Sequence, residues 1–154
     1  MRIIYDLDEM TETARGWLTG GSVGLVPVIG NLHAGHLALV RSSIQECELS
    51  IISILDSSLQ FESDDVHTRI PLHLAANLQL LEQERVDVVF IPRPSDFYPT
   101  GFSTQVVPFG PLAERLERAS PHQNIRTVAT SMTKLFQLVH PDKVYLGQKK
   151  APSI

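Results

Sequence analysis

A chain of 154 residues that is 43% hydrophobic and 19% charged, with a formal net charge of -4, has the make-up of one ordinary globular domain. Its basic residues never cluster beyond the short "QKK" at 148–150, which argues against an extended nucleic-acid or membrane-surface footprint and leaves a small anionic ligand open. No segment is apolar for long enough to span a bilayer, acids interrupt "MRIIYDLDEM" where a secretory leader would be apolar, and the single cysteine, Cys47, has no internal partner; the expectation is a cytoplasmic protein.

In chain order the pattern alternates strand and helix. "SVGLVPVI" (22–29) is a short β-branched run bounded by glycines, as in a strand buried on both faces. From about His36, Leu37, Val40, Ile44 and Cys47 recur at a helical period. "LSIISIL" (49–55) predicts a second buried strand, 72–84 a helix with Leu74, Leu78 and Leu81 on one face, and "VDVVFIP" (86–92) a third strand ended by prolines. Residues 111–119 predict a short helix with Pro111 at its start, 126–139 a longer one with Thr127 as candidate cap, and "KVYLG" (143–147) a closing strand. This alternation implies parallel strands joined by right-handed crossovers: an α/β fold, a Rossmann-like open parallel sheet with flanking helices, as a single domain over 1–154.

Ligands of such sheets sit beyond the carboxyl ends of the strands, where the strand order reverses. "GNLHAGHLALV" (30–40) follows the first predicted strand at that end. His33 falls in the strand-to-helix turn and His36 near the helix start, so both imidazoles can face one ligand. A helix N-terminus favours phosphate, and Gly30 and Gly35 permit close backbone approach. Imidazoles placed there can donate to phosphoryl oxygens as charge builds up. Two alternatives stay open at this point: a polar pair at a helix start with no ligand, and a metal site, which lacks nearby carboxylate or cysteine partners.

The "HAGH" stretch resembles the HxGH signature of the nucleotidyltransferase superfamily. "VPVIGNLHAGHLALVRSS", "LQF", "DVVFIP", "FYPTGFST", "LERAS" and "VATSMTKLFQLVHPDKVYLGQK" then follow one another as in the pantothenate synthetase (pantoate-beta-alanine ligase) family, from about residue 20 to residue 149. The resemblance implies ATP-dependent activation of pantoate, or a related hydroxy acid, as an acyl adenylate that an amine such as β-alanine attacks, with ATP and Mg2+ as cofactors. His33 and His36 match the family's ATP-contacting histidines, and Lys149 the lysine that steadies developing charge, which makes these the implied catalytic residues. Gly147 matches a backbone approach to the ribose. Pro27 to Gly30 match the segment beside acid and nucleotide, where main-chain contacts can survive the side chains of Val28 and Ile29. Gln60 matches a glutamine that bonds the acid, alongside Ile29. The partners implied are small carboxylic acids and amines, without nucleic acid or membrane. Family members pair as dimers, so a homodimer is expected.

The sequence also departs from the family. "LDSSLQF" stands where the family reads close to "FVNPTQF", so Asp56, Ser57 and Ser58 alter the acid pocket. Pro71 is kept but Leu72 replaces an arginine, and Lys150, Ala151, Pro152 and Ser153 replace a "DxQQ" run that would bond ribose and acid. The family continues into a second domain that closes over the triphosphate, whereas this chain ends five residues after Lys149. The sequence therefore implies that a separate chain supplies the lid, that the chain is shortened, or that the domain is a non-catalytic nucleotide-binding or interaction module.

Overall fold

The computed structural model describes residues 1–55, 74–99, 101, 104–119 and 125–147. In chain order these form β1 (Arg2–Ile4), α1 (Leu7–Arg15), β2 (Val23–Ile29), α2 (Ala34–Glu46), β3 (Leu49–Leu55), α3 (Leu74–Gln83), β4 (Val88–Phe90), α4 (Pro94–Phe97), α5 (Pro111–Ala119), α6 (Ile125–Val139) and β5 (Lys143–Val144). The strands make one sheet in the order β1-β4-β3-β2-β5, parallel at every pairing. This is the α/β architecture expected from the alternating pattern.

Because β2 and β3 are β-branched on both faces, they can be covered on both, and each face builds its own core. Val26, Val28, Ile52, Ile54 and Val89 pack under α2 and α3 around Val40 and Leu81. Leu25, Ile51, Leu55 and Phe90 pack on the other face against Met10 and Ala14 of α1 and Leu135 and Val139 of α6. The β2–β3 ladder is in register over its full length, from Val23 opposite Leu49 to Ile29 opposite Leu55.

On its other edge β2 meets β5, with Gly24 opposite Lys143 and Leu25 opposite Val144. The carbonyl of Leu25 accepts from the N–H of Tyr145 at 2.9 Å. Backbone groups alternate between edges along a strand, so the next bond on this edge would need an N–H from residue 27, which is proline. The strand expected over 143–147 therefore ends at Val144. The connection after β2 runs through α2 on one face, while α6, on the other face, leads into β5. The carboxyl ends of β2 and β5 thus mark the reversal point of the sheet.

Other boundaries also shift. The helix expected from His36 begins at Ala34, because His33 caps it. Thr127 lies inside α6, behind Ile125 and Arg126, and its carbonyl accepts from Ser131 Oγ at 2.8 Å, so it is not the cap. The strand expected over 86–92 is confined to 88–90, although Ile91 N–H still donates to the Ile4 carbonyl at 2.8 Å. Among the described residues, no helix is long and apolar enough to cross a membrane.

Candidate functional site

Gly30 ends β2 with φ at 83°, a left-handed turn that favours glycine, while its N–H still donates to the Leu55 carbonyl at 3.0 Å. The chain then reaches His33, which has extended backbone and caps α2. His33 Nδ1 accepts from the N–H of Gly35 at 3.1 Å, and the His33 N–H donates to Nδ1 of His36 at 3.3 Å. This is a reciprocal capping box in which two imidazoles take the places usually held by a hydroxyl and a carboxylate. The rings lie 3.8 Å apart between centroids and 30° from parallel.

The arrangement fixes more than position. A ring nitrogen that accepts a hydrogen bond carries no proton, so both neutral imidazoles are Nε2–H tautomers, an assignment that follows from the bonding pattern. Both rings stand at the end of α2 that bears the positive side of the helix dipole. His33 is exposed and His36 half-buried.

The remaining candidates sort by position. Pro27 is buried in β2 and faces the β5 edge beyond the last ladder bond; Val28 points into the core under α2. Ile29 is half-buried on the other face, and Gly30 forms the turn. Gly147 is exposed past the end of β5, and a Cβ built on it would lie 4.0 Å from Leu39 of α2, so it runs along the same helix that carries the histidines. The structure therefore places Pro27, Ile29, Gly30, His33, His36 and Gly147 around the carboxyl end of β2 and the first turns of α2. Gln60, Lys149, Asp56, Ser57, Ser58, Pro71, Leu72 and residues 150–153 lie outside the described residues.

One group was missed by reading the sequence. Tyr145 Oη donates to Glu46 Oε2 at 2.9 Å and lies 3.5 Å from Cys47 Sγ, while Lys143 Nζ donates to the same Glu46 oxygen at 3.2 Å. Burial pushes the Tyr145 phenol up, reinforced by Cys47 and Glu46; the bond from Tyr145, then that from Lys143, holds the Glu46 carboxyl below its usual range. The one signal in the sequence was Gly24, set in a β-branched run. A Cβ there would meet Ser43 Oγ at 2.3 Å and the Tyr145 ring at 3.2 Å.

Among the described residues, no three His, Cys, Asp or Glu side chains are grouped to hold a metal ion. A cavity of about 420 Å3 lies elsewhere, against the α1/α6 face, lined by Leu7, Phe97, Val106, Thr130, Lys134 and Leu138 among others. Its lysine is engaged by the Phe97 carbonyl and sits 4.5 Å from the Tyr98 ring centroid, and burial lowers its pKa. None of the histidine-bearing backbone lines that cavity.

A family model described as pantoate-beta-alanine ligase matches residues 2–154. The chain belongs to the pantoate-beta-alanine ligase family. A pantothenate synthetase of Roseiflexus sp. (strain RS-1) is 44% identical over 151 residues, which are 98% of this chain and 53% of that protein. One of Corynebacterium efficiens is 44% identical over 137 residues, covering 86% of this chain and 48% of its own. The fold superposes with a TM-score of 0.82 on the Francisella tularensis pantoate-beta-alanine ligase complexed with beta-gamma ATP and beta-alanine, at 28% identity, covering 94% of this chain and 55% of that one. For the Thermus thermophilus pantothenate synthetase the TM-score is 0.80 at 35% identity, covering 95% of this chain and 51% of that one. The chain thus spans about half the length of these members of the ligase family.

Proposed function

We propose that this chain is the nucleotide-binding, acid-activating domain of a pantothenate synthetase. The acid is pantoate or a related hydroxy acid. One oxygen of its carboxylate attacks the α-phosphorus of ATP, the bond to the bridging oxygen breaks, and pyrophosphate leaves with that electron pair. An amine such as β-alanine then attacks the acyl carbon of the adenylate and expels AMP, leaving an amide. The observation that carries this reading is the histidine capping box at the N-terminus of α2, at the reversal point of the sheet.

In this reading His33 and His36 bond phosphoryl oxygens and strengthen those bonds as charge moves onto the departing pyrophosphate. Lys149 adds a compact positive charge to the same oxygens, Gly147 lets backbone approach the ribose, and Pro27, Ile29 and Gly30 line the space shared by acid and nucleotide. Gln60 orients the acid carboxylate. Mg2+ enters as the companion of the triphosphate, held largely by phosphate oxygens, as this ion commonly is. The chain acts in the cytoplasm, as a homodimer. Bringing the two reactants into line lowers the barrier further, because the entropy of bringing them together is lost on binding and not in the chemical step.

The test is acid-dependent exchange of pyrophosphate into ATP, with His36→Ala as the contrast. Exchange with pantoate is expected, and the substitution should cut its rate about 10²-fold, the usual cost of losing one preorganised donor. Exchange with another hydroxy acid alone would mean a re-specified pocket. ATP binding without exchange would mean that the domain needs its lid from elsewhere. Neither exchange nor ATP binding would refute the nucleotide reading in favour of an interaction module.

A further inference from the structure

The short pairing of β5 raises the question of what keeps it at the correct height beside α2. Among the described residues, Lys143 and Val144 alone are laddered to β2, with Asp142 N–H to the Val23 carbonyl at 2.8 Å and Tyr145 N–H to the Leu25 carbonyl at 2.9 Å at either end. Side chains add a second anchor. Lys143 and Tyr145 both reach Glu46, in the last turn of α2, while Val144 points to the opposite face and packs into the α1/α6 core. The Tyr145 ring lies over Gly24, close enough that a Cβ there would be 3.2 Å from its Cε2.

A parallel strand that slips by one residue moves by about 3.3 Å and turns every side chain to the other face. That is a full hydrogen-bond length, enough to break a backbone contact to a ligand. Past Tyr145 the chain runs along α2 to Gly147, which sits beside Leu39, three residues or about 4.5 Å of helix from His36. The two ends of α2 are therefore coupled to one strand.

We propose that Tyr145, acting through Glu46, is a positioning residue that sets the height of β5 along α2 and so fixes where the chain at Gly147 meets the nucleotide. This rests on the nucleotide reading above. Tyr145 touches no substrate in it; its effect is carried by the strand. Cys47 Sγ lies 3.5 Å from the phenol oxygen.

The experiment combines ATP titration calorimetry with hydrogen exchange at the amide of residue 145. The variants are Tyr145→Phe, Glu46→Ala, Glu46→Gln and, as a control, Arg41→Ala, which cuts the pair between α2 and Glu84 at 2.6 Å. Tyr145→Phe and Glu46→Ala should each speed exchange at residue 145 and weaken ATP binding about three- to tenfold, the worth of one hydrogen bond, and the double variant should be no worse than either alone. Glu46→Gln keeps an acceptor for the phenol and should restore most of the affinity. Arg41→Ala should lower stability without moving the ATP affinity. Unchanged exchange in Tyr145→Phe overturns the proposal, and so does faster exchange with wild-type ATP affinity. A wild-type chain that binds no ATP overturns the nucleotide reading itself. That failure is distinguishable, because exchange at residue 145 reports the Tyr145–Glu46 bond with no ligand present.

Discussion

Replacing Gly35 by alanine should separate stability from nucleotide binding. Gly35 lies in the first turn of α2, and a Cβ there would sit 2.9 Å from Cε1 and 3.1 Å from Nδ1 of His33. Both contacts are to a side chain that can rotate, so the ring moves rather than the backbone. The move breaks the 3.1 Å bond from the Gly35 N–H and the stacking of the two imidazoles. Losing such a cap costs about 1 kcal/mol, while alanine is favoured over glycine inside a helix by a similar amount, about 1 kcal/mol. The two nearly cancel, and the melting temperature should stay within about 3 °C of wild type. ATP binding has no such offset, because it loses one hydrogen bond to a charged phosphate, worth about 1.5–3 kcal/mol, or roughly 10–100-fold in Kd. Titration calorimetry and thermal melting on the same sample decide the matter. Wild-type ATP affinity in Gly35→Ala would refute the argument that the glycine exists to seat His33, and a large fall in melting temperature would refute the cancellation.

Two further outcomes are expected. Gly24→Ala pushes a Cβ to 2.3 Å from Ser43 Oγ, a buried hydroxyl already bonded to Ser50 at 2.8 Å; overpacking of this kind costs about 1–3 kcal/mol, and a melting temperature lower by about 5–10 °C is expected, partly recovered by Ser43→Ala in the same chain. Glu84, through Arg41, and Glu46, through Tyr145 and then Lys143, are both held below the usual carboxyl value of 4.5, so each stabilises the fold above that pH and loses its contribution as pH falls through its lowered value. Urea midpoints measured between pH 7 and pH 3 should fall faster in wild type than in Glu84→Gln; parallel curves would remove that pair from the account.

The parts of the fold that sequence made legible are those whose periodicity is strong. β2 and β3 are seven-residue runs dominated by buried Val, Ile and Leu and were placed almost to the residue, because burial on both faces keeps charged and large polar side chains out of them. β1 and α1 were not assigned. β1 is three residues at the sheet edge, held by the Arg2 N–H to the Asp87 carbonyl at 2.9 Å, a partner far away in the chain. α1 buries only Met10 and Ala14, yet its cap was in plain text, since Asp6 accepts from the Glu9 N–H at 3.0 Å. α4, four residues behind Arg93, is too short to carry a period. The histidines were legible as a motif at the end of a strand, whereas their tautomers became readable only with the bonds to Nδ1. The Tyr145–Glu46 bond joins residues 99 apart, which no local pattern encodes.

Pro27 has a consequence for how a ligand would enter. Two parallel strands side by side tend to zip together to their ends, because each unmade bond leaves a donor and an acceptor to be satisfied. Here the zip is stopped by covalent structure: the ring of Pro27 occupies the nitrogen that the next bond would require, on the edge where Leu25 has just made its bond to Tyr145. The end of the β2–β5 ladder is therefore written into the chain and does not depend on anything that binds. In the nucleotide reading, a ligand at that end breaks no ladder bond at residue 27, so the free energy of its contacts goes into holding and aligning the phosphates.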